Sequence, residues 1–405
     1  MKILHVTASA GGGAGIAARC SVDALREAGH NSELLTVDGD MRTHRQQLWR
    51  RRLDWAPQRL FYARRGFFSV WSNNWQPSRL SPIVNRRKPD LVHLHWLGDG
   101  SLHWNELADI KAPLVWTMHD TWAFTGGCHY TDNCKRYIEQ CGACPQLGST
   151  RVSDLSRYNL KRKRRYADQV ARWISPSRWL GEMAVEGGTI SRERLCVIPN
   201  GVNGGVFKRL EPDQARMRRN IPDHALVLVT GAVDFSEPRK GVRLLPEVLR
   251  RLEAMTKGKC VLILFGAVPE RAADWPEGTC WTGPLKTAEE VAEVLGMADV
   301  FVLPSLQDNL PNVVLEALAC GCPSVGFDAG GFGEIVETGV TGWVADRKDA
   351  EGLAEAIHHW LQAAPARKVV ADRCRDRFES FYTLDRHAKA LIALYGEVLG
   401  EGRKA

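Results

Sequence analysis

Residues 305–321 read "SLQDNLPNVVLEALACG" and place one carboxylate, Glu316, among Val313, Val314, Leu315, Ala317 and Leu318. No other charge stands between Asp308 and Asp328. Pro311 suits the first turn of a helix and Gly321 its end, which predicts a helix over 311–320. That helix is apolar nearly all round and should be buried. The run before it, "ADVFVLPS" at 298–305, has the short apolar pattern of a buried strand. Strand, loop and helix in this order build parallel α/β sheets, whose ligands sit beyond the carboxyl ends of the strands. Asp308 falls in that loop.

The same unit recurs outward in both directions. Towards the C-terminal half, "ALVLVTGAVD" (225–234), "KCVLILFGA" (259–267), "GTCWTGPL" (278–285) and "CPSVGFDAGG" (322–331) read as strands, with helices over Val242–Met255 and Thr287–Met297. In the N-terminal half "KILHVTA" (2–8) is a strand, "SAGGGAG" (9–15) turns into a helix over Ile16–Ala28, and "SELLTV" (32–37) follows. "PDLVHLHWLG" (89–98), "APLVWTMHD" (112–120), "ARWISPS" (171–177) and "RLCVIPN" (194–200) complete that set. Pro199-Asn200-Gly201 is a hinge-like turn signal between the halves. The fold class expected is α/β, with two doubly wound Rossmann-like domains, 1–200 and 201–382, facing a central cleft. A terminal amphipathic helix, 383–405, carries Ala388, Leu391, Leu394, Tyr395 and Val398 at helical spacing and is expected to pack back on the first domain.

A chain of 405 residues fits two domains, and 44% hydrophobic with 25% charged residues describes a soluble globular protein. "MKILHVTASAGGG" at 1–13 reads as a strand and glycine loop, not as a signal peptide, and no apolar run approaches the roughly 18–20 residues of a membrane span. The expected location is the cytoplasm, with peripheral attachment at the inner face of the cell membrane. Charge distribution supports that attachment. Between Arg42 and Lys88 twelve basic residues meet one acid, Asp54, and Trp49, Trp55, Phe61, Tyr62, Phe67, Phe68, Trp71 and Trp75 interleave with them. "KRKRR" at 161–165 is a second basic run. Such mixtures suit an anionic membrane surface or a lipid-phosphate acceptor. Nucleic acid is the rival partner and is not expected, and a solvated face over core aromatics is the plain alternative.

Four of eleven cysteines, Cys128, Cys134, Cys141 and Cys144, cluster in "GGCHYTDNCKRYIEQCGACPQLG" (126–148). The cluster ends in C-x-x-C and suits a structural zinc pinning a long loop. Reduced thiols, disulfides and an iron–sulfur cluster are the alternatives.

A buried carboxylate needs donors. For Glu316 these are either neighbouring backbone groups or the hydroxyls of a ligand. In the second case Asp308 and Glu316 hold different parts of a polyhydroxylated molecule. The backbone from Asn309 through Leu310, Pro311 and Asn312 to Val313 opens the helix between them as an anion site. Two hydroxyl-binding acids around a phosphate-binding helix start describe a nucleotide sugar.

The motifs as a set resemble the retaining glycosyltransferases of family 4, which have the GT-B fold. "DNLPNVVLE" (308–316) matches their E-x7-E signature with Asp308 in place of the first acid. "GGGAGIAAR" (11–19), "TMHD" (117–120), "IPNGV" (198–202), "VFVLPS" (300–305) and "DAGGFGEIV" (328–336) match their other landmarks. The resemblance implies that Glu316 binds the donor's ribose, Asp308 and His119 its sugar, and Lys240 of "EPRKG" its diphosphate. The family arginine a few residues before that lysine has no counterpart, and Arg239 is the nearest substitute. Gly12, Gly13 and Gly15 are implied to let backbone approach a ligand, and Gly330 and Gly331 to contact the donor sugar through amides. His93 and His95 of "VHLHW" are assigned to opposite faces of their strand. No DxD-type metal site stands beside these groups, and the resemblance implies no catalytic metal. Cations and aligned amides would instead stabilise the departing diphosphate.

The expected protein is a retaining hexosyl- or N-acetylhexosaminyl-transferase. It would move a sugar from a UDP- or GDP-linked donor to a polyprenol-linked glycan acceptor in cell-surface polysaccharide biosynthesis. A non-catalytic nucleotide- or sugar-binding protein of the same fold is the rival.

Overall fold

The computed structural model describes residues 1–62, 70–210, 215–217, 219–222, 225–267 and 275–401. The chain divides into two compact units, Met1–Gly201 with Asp385–Ala405, and Val202–Leu384.

In the first unit the strands are β1 (Lys2–Thr7), β2 (Asn31–Thr36), β3 (Leu91–Leu94), β4 (Leu114–Thr117), β5 (Val170–Ser175) and β6 (Leu195–Val197). They form one sheet in the order β2-β1-β3-β4-β5-β6, and every pair is parallel. The helices are α1 (Gly12–Glu27), α2 (His44–Phe61), α3 (Leu80–Arg87), α4 (Leu155–Tyr166) and α5 (Arg178–Glu186). A parallel sheet is covered on both faces, so β3 and β4 are buried at every position. α1 begins four residues before the expected Ile16. The loop of Ser9 and Ala10 lies so close to it that a Cβ on Gly15 would stand 2.5 Å from Ser9 O. The glycine therefore serves the chain's own packing.

The second unit holds β7 (Leu226–Asp234), β8 (Cys260–Ala267), β9 (Thr279–Gly283), β10 (Val300–Leu303), β11 (Ser324–Phe327) and β12 (Gly342–Ala345). The order is β12-β11-β10-β7-β8-β9, again wholly parallel. Its helices are α6 (Leu245–Thr256), α7 (Ala288–Met297), α8 (Asn312–Ala319), α9 (Phe332–Ile335), α10 (Ala350–Ala363) and α11 (Arg367–Phe381). The stretch expected as one helix from Val242 opens instead with a tight turn over Val242–Leu244, and α6 then starts with a proline in its first turn. α7 is entered through a reciprocal cap, Thr287 on the Glu290 amide and Glu290 on the Thr287 amide. Both halves thus have the doubly wound parallel sheet that the sequence pattern predicts.

The terminal helix α12 (Leu384–Glu401) returns to the first unit. Its Leu391, Leu394, Tyr395 and Val398 pack with Ile3, Leu91, Val115 and Ile174. None of the described helices is long and apolar enough to cross a membrane.

The two basic runs behave differently. "KRKRR" is largely internal bracing, not a surface patch. Lys163 is fully buried with Nζ donating to Trp122 O, Arg162 donates to Asn73 O, and Arg164 reaches Glu139 O at 2.6 Å and Gly187 O at 2.7 Å. Carbonyls that no sequence pattern reveals have taken those charges. In the first run Arg42 and Arg50 donate to the carbonyls of Ser78 and Pro77, and Arg51 pairs with Asp99. Asp54 is buried and accepts from the amides of Asn73 and Asn74. The outer face of α2 remains, with Arg45, Leu48, Trp49, Arg52, Leu53, Arg59 and Leu60 all exposed. Arg64, Arg65, Phe67 and Phe68 lie outside the described residues.

Candidate functional site

In the second unit the loop after β10 carries Asp308 to the end of a neighbouring turn, Pro238–Lys240. Two glycines make that approach possible. A Cβ on Gly241 would stand 1.9 Å from Pro304 O, and one on Gly330 would stand 1.7 Å from Asp308 O, both at positive φ. Asp308 then accepts from Lys240 Nζ at 2.7 Å, with Arg239 Nη1 at 3.5 Å. Arg239 is held by Glu237 through Nε and by Gln307 O through Nη1. The sequence assigns Asp308 to a sugar and Lys240 to a diphosphate. The structure joins them in one partly buried ion pair. Burial and the adjoining Arg239 push the Lys240 ammonium down, and Asp308 opposes that shift.

α8 starts after Pro311 without a side-chain cap. Val314, Leu315, Ala317, Leu318 and Ala319 are buried, whereas Asn312, Val313 and Glu316 share a partly covered face. Helical side chains lean towards the N-terminus, so Glu316 lies over the first turn of α8, where Asn312 and Val313 sit. Burial alone pushes its carboxyl up to about 7. No hydrogen bond or ion pair to that carboxylate forms among the described residues. Gly331 is used internally, its amide donating to Asp308 O at 3.1 Å, rather than held out for a sugar.

In the first unit His119 follows β4 and is only partly covered. Gly12, at positive φ, and exposed Gly13 open α1, while Gly15 is buried against its own loop. His93 and His95 do not point to opposite faces. Residues two apart on a strand share a face, and their rings stack at 4.3 Å. His95 Nδ1 lies 3.1 Å from His119 Nε2, and His95 Nε2 lies 2.9 Å from His5 Nδ1. His5 was not singled out in the sequence, although a histidine inside the apolar run "KILHVT" was the available signal. Burial keeps these rings neutral, His5 down to about 3, His119 to about 4 and His95 well below the ordinary value. A second missed constellation joins Ser72 Oγ to His129 Nε2 at 2.9 Å and His129 Nδ1 to Asp120 Oδ2 at 2.6 Å. Ser72 is fully buried and its Oγ accepts the Asp99 amide, so this trio braces loops and offers no nucleophile.

All four loop cysteines are free thiols. The amides of Gln146 and Leu147 point at the Cys144 sulfur and that of Gly126 at the Cys141 sulfur, while burial pushes both thiols up. Among the described residues, the His/Cys/Asp/Glu ligand atoms gathered within 4.8 Å are those of His5, His93 and His95, and the four thiols form no such group.

Two wholly parallel six-stranded sheets, one with cations and acids at its strand ends, are the architecture of a two-domain GT-B fold. Residues 11–204 match the family described as Glycosyltransferase Family 4, and residues 224–363 match Glycosyl transferases group 1. Between them these matches span most of the chain, which is a glycosyltransferase built of a family 4 and a group 1 domain. The D-inositol 3-phosphate glycosyltransferase of Mycolicibacterium smegmatis is 26% identical over 328 residues, 78% of this chain and 68% of the relative. Over such matches the chain spans about half to two thirds of the length of its curated relatives, from 49% to 68%. Anabaena HepE in complex with UDP-glucose has a TM-score of 0.65 at 17% identity, covering 98% of this chain and 100% of its own. WaaG, a glycosyltransferase involved in lipopolysaccharide biosynthesis, has a TM-score of 0.65 at 16% identity, covering 96% and 98%.

Proposed function

We propose that the protein transfers a sugar from a nucleoside diphosphate to a lipid-linked glycan at a membrane surface. One observation carries the donor assignment: Glu316 is a partly covered carboxylate with no hydrogen-bond or ion-pair partner among the described residues, set over the first turn of α8. Ribose hydroxyls would supply its missing donors. Lys240 and Arg239 would take the diphosphate, whose negative charge grows as the sugar departs. Asp308 would exchange its hold on Lys240 for a sugar hydroxyl. His119 is proposed to hydrogen-bond the transferred sugar. UDP-linked sugars are the first donors to try, since the fold is shared with a UDP-glucose complex.

Retention of configuration is proposed from the family resemblance, by a front-face route. The bond from the anomeric carbon to the leaving phosphate oxygen breaks as the acceptor hydroxyl bonds to that carbon, and the phosphate oxygen takes the hydroxyl proton. The product anomer, read by proton NMR, tests this, and an inverted product overturns it. The exposed face of α2 supports the membrane. Trp49 and Leu53 are 55% and 48% exposed, and Arg52 lies over the Trp49 ring at 5.7 Å. For the cysteine loop we propose a structural zinc. The four cysteines close in C-x-x-C, and Lys163, buried without an ion-pair partner among the described residues, would gain an anionic neighbour from metal-bound thiolates. Metal analysis of the purified chain tests it.

The deciding experiment is a thermal-shift and turnover screen of nucleotide sugars against the wild type, Glu316→Ala and Lys240→Ala. Stabilisation and turnover lost in both variants support the reading. Binding without turnover would favour the non-catalytic rival, and unchanged behaviour in both variants would reject the site.

A further inference from the structure

Three imidazoles step across the carboxyl edge of the first sheet, from His5 on β1 to His95 after β3 to His119 after β4, neighbouring strands in that order. Both nitrogens of His95 are spent on the other two rings. His93, though stacked on the chain, stays outside it, because Tyr395 OH at 2.6 Å and Thr117 Oγ1 at 2.7 Å take its nitrogens. The inner end of the chain is unusual. His5 Nε2 is buried and meets no hydrogen-bonding atom of the described residues.

A neutral imidazole carries one proton, so His95 can donate to only one neighbour and must accept from the other. Two arrangements follow. If His119 Nε2–H donates to His95 and His95 Nε2–H donates to His5, the last proton sits on His5 Nε2 as a buried N–H with no acceptor. If the direction is reversed, His5 Nδ1–H donates to His95 Nε2 and His95 Nδ1–H donates to His119 Nε2. His5 Nε2 is then a bare lone pair, and His119 carries its proton on Nδ1. Buried donors are left unpaired more rarely than buried acceptors, so the second arrangement is favoured.

We infer that His95 and His5 are positioning residues whose chain holds His119 in its Nδ1–H form, so that His119 donates a hydrogen bond to an oxygen of the bound sugar and takes no proton from the acceptor. The inference rests on the assignment of His119 to the sugar, and it leaves the acceptor's proton to the leaving phosphate. Burial of His5 and His95, with the partial cover over His119, keeps the rings neutral near pH 7, consistent with a tautomeric role and not an ionic one.

The test is an NMR measurement on the full chain with nitrogen-labelled histidine, His119 being assigned by its absence in H119Q. Protonation at Nδ1 in all three rings is expected. A proton on Nε2 of His119 in the wild type would overturn the inference whether or not any sugar is turned over. H95F cuts the chain, and a shift of His119 towards Nε2–H with a roughly tenfold loss of kcat/KM for the intact donor is expected. Affinity for the free nucleoside diphosphate should stay unchanged. Since H95F can also disturb packing, the wild-type spectrum decides alone if the variant misfolds. A stoichiometric metal bound by the wild type and lost in H5Q would also overturn the proton chain. Absence of any nucleotide-sugar binding would instead strike the functional assignment and leave the tautomers to be read.

Discussion

The two candidate sites, one in each unit, lie at or near the carboxyl ends of central parallel strands, yet they treat charge in opposite ways. In the second unit Lys240, Arg239, Asp308 and Glu237 keep paired charges, and the Glu316 carboxylate has no protein partner among the described residues. In the first unit burial strips charge from every ring of the histidine chain, and hydrogen bonds between neighbours replace it. The same strand–loop–helix unit therefore supports either kind of site. What decides is whether the loop brings cations to the acid, as the Gly241 and Gly330 approaches do, or lines neutral rings along the sheet edge.

Several substitutions break that contrast or sharpen it. Lys240→Ala removes the cation that meets the leaving diphosphate and should lower kcat/KM by about 100- to 1000-fold, measured by nucleotide release. Glu316→Gln should change stability with pH. The folded-state value near 7 lies above the ordinary 4.5, so the folded chain holds the proton more tightly in that window. Stability contributed by this group is present at low pH and falls as pH rises from about 4.5 through 7, by at most about 3 kcal/mol and less where solvent reaches the carboxyl. Glu316→Gln should flatten that slope and be the more stable protein at pH 8, read by thermal shift. Asp308→Ala leaves Lys240 unpaired and should cost about 10- to 100-fold in kcat/KM, while Asp308→Glu should stay within a few fold. Smallest is the effect of Trp49→Ser with Leu53→Ser on α2. It should weaken binding to anionic vesicles by roughly tenfold without changing turnover of a soluble acceptor.

Much of the fold was legible because alternation of apolar strands with helices has few solutions. "ADVFVLPS" and "KILHVT" are strands at the expected places, and Thr287 with Glu290 marks a helix start by its chemistry. Errors arose where partners are distant in sequence. The charges of 161–165 look like a surface patch, but the carbonyls of Trp122, Asn73 and Gly187 take three of them inward. Asp308 and Lys240 stand 68 positions apart, and nothing local announces their ion pair. Assigning His93 and His95 to opposite faces goes against the two-residue period of a strand and hides the ladder from His5 to His119. Glu316 was legible because a lone carboxylate in an apolar helix is costly wherever the rest of the chain goes.

The claim that a ribose completes Glu316 has a direct test. Calorimetric titration would compare a nucleoside diphosphate with its dideoxyribose analogue, against wild type and Glu316→Ala, using whichever of UDP and GDP binds. The wild type should prefer the ribose form by about tenfold or more, and the preference should vanish in Glu316→Ala. An equal preference in both proteins would show that the carboxylate does not hold the ribose.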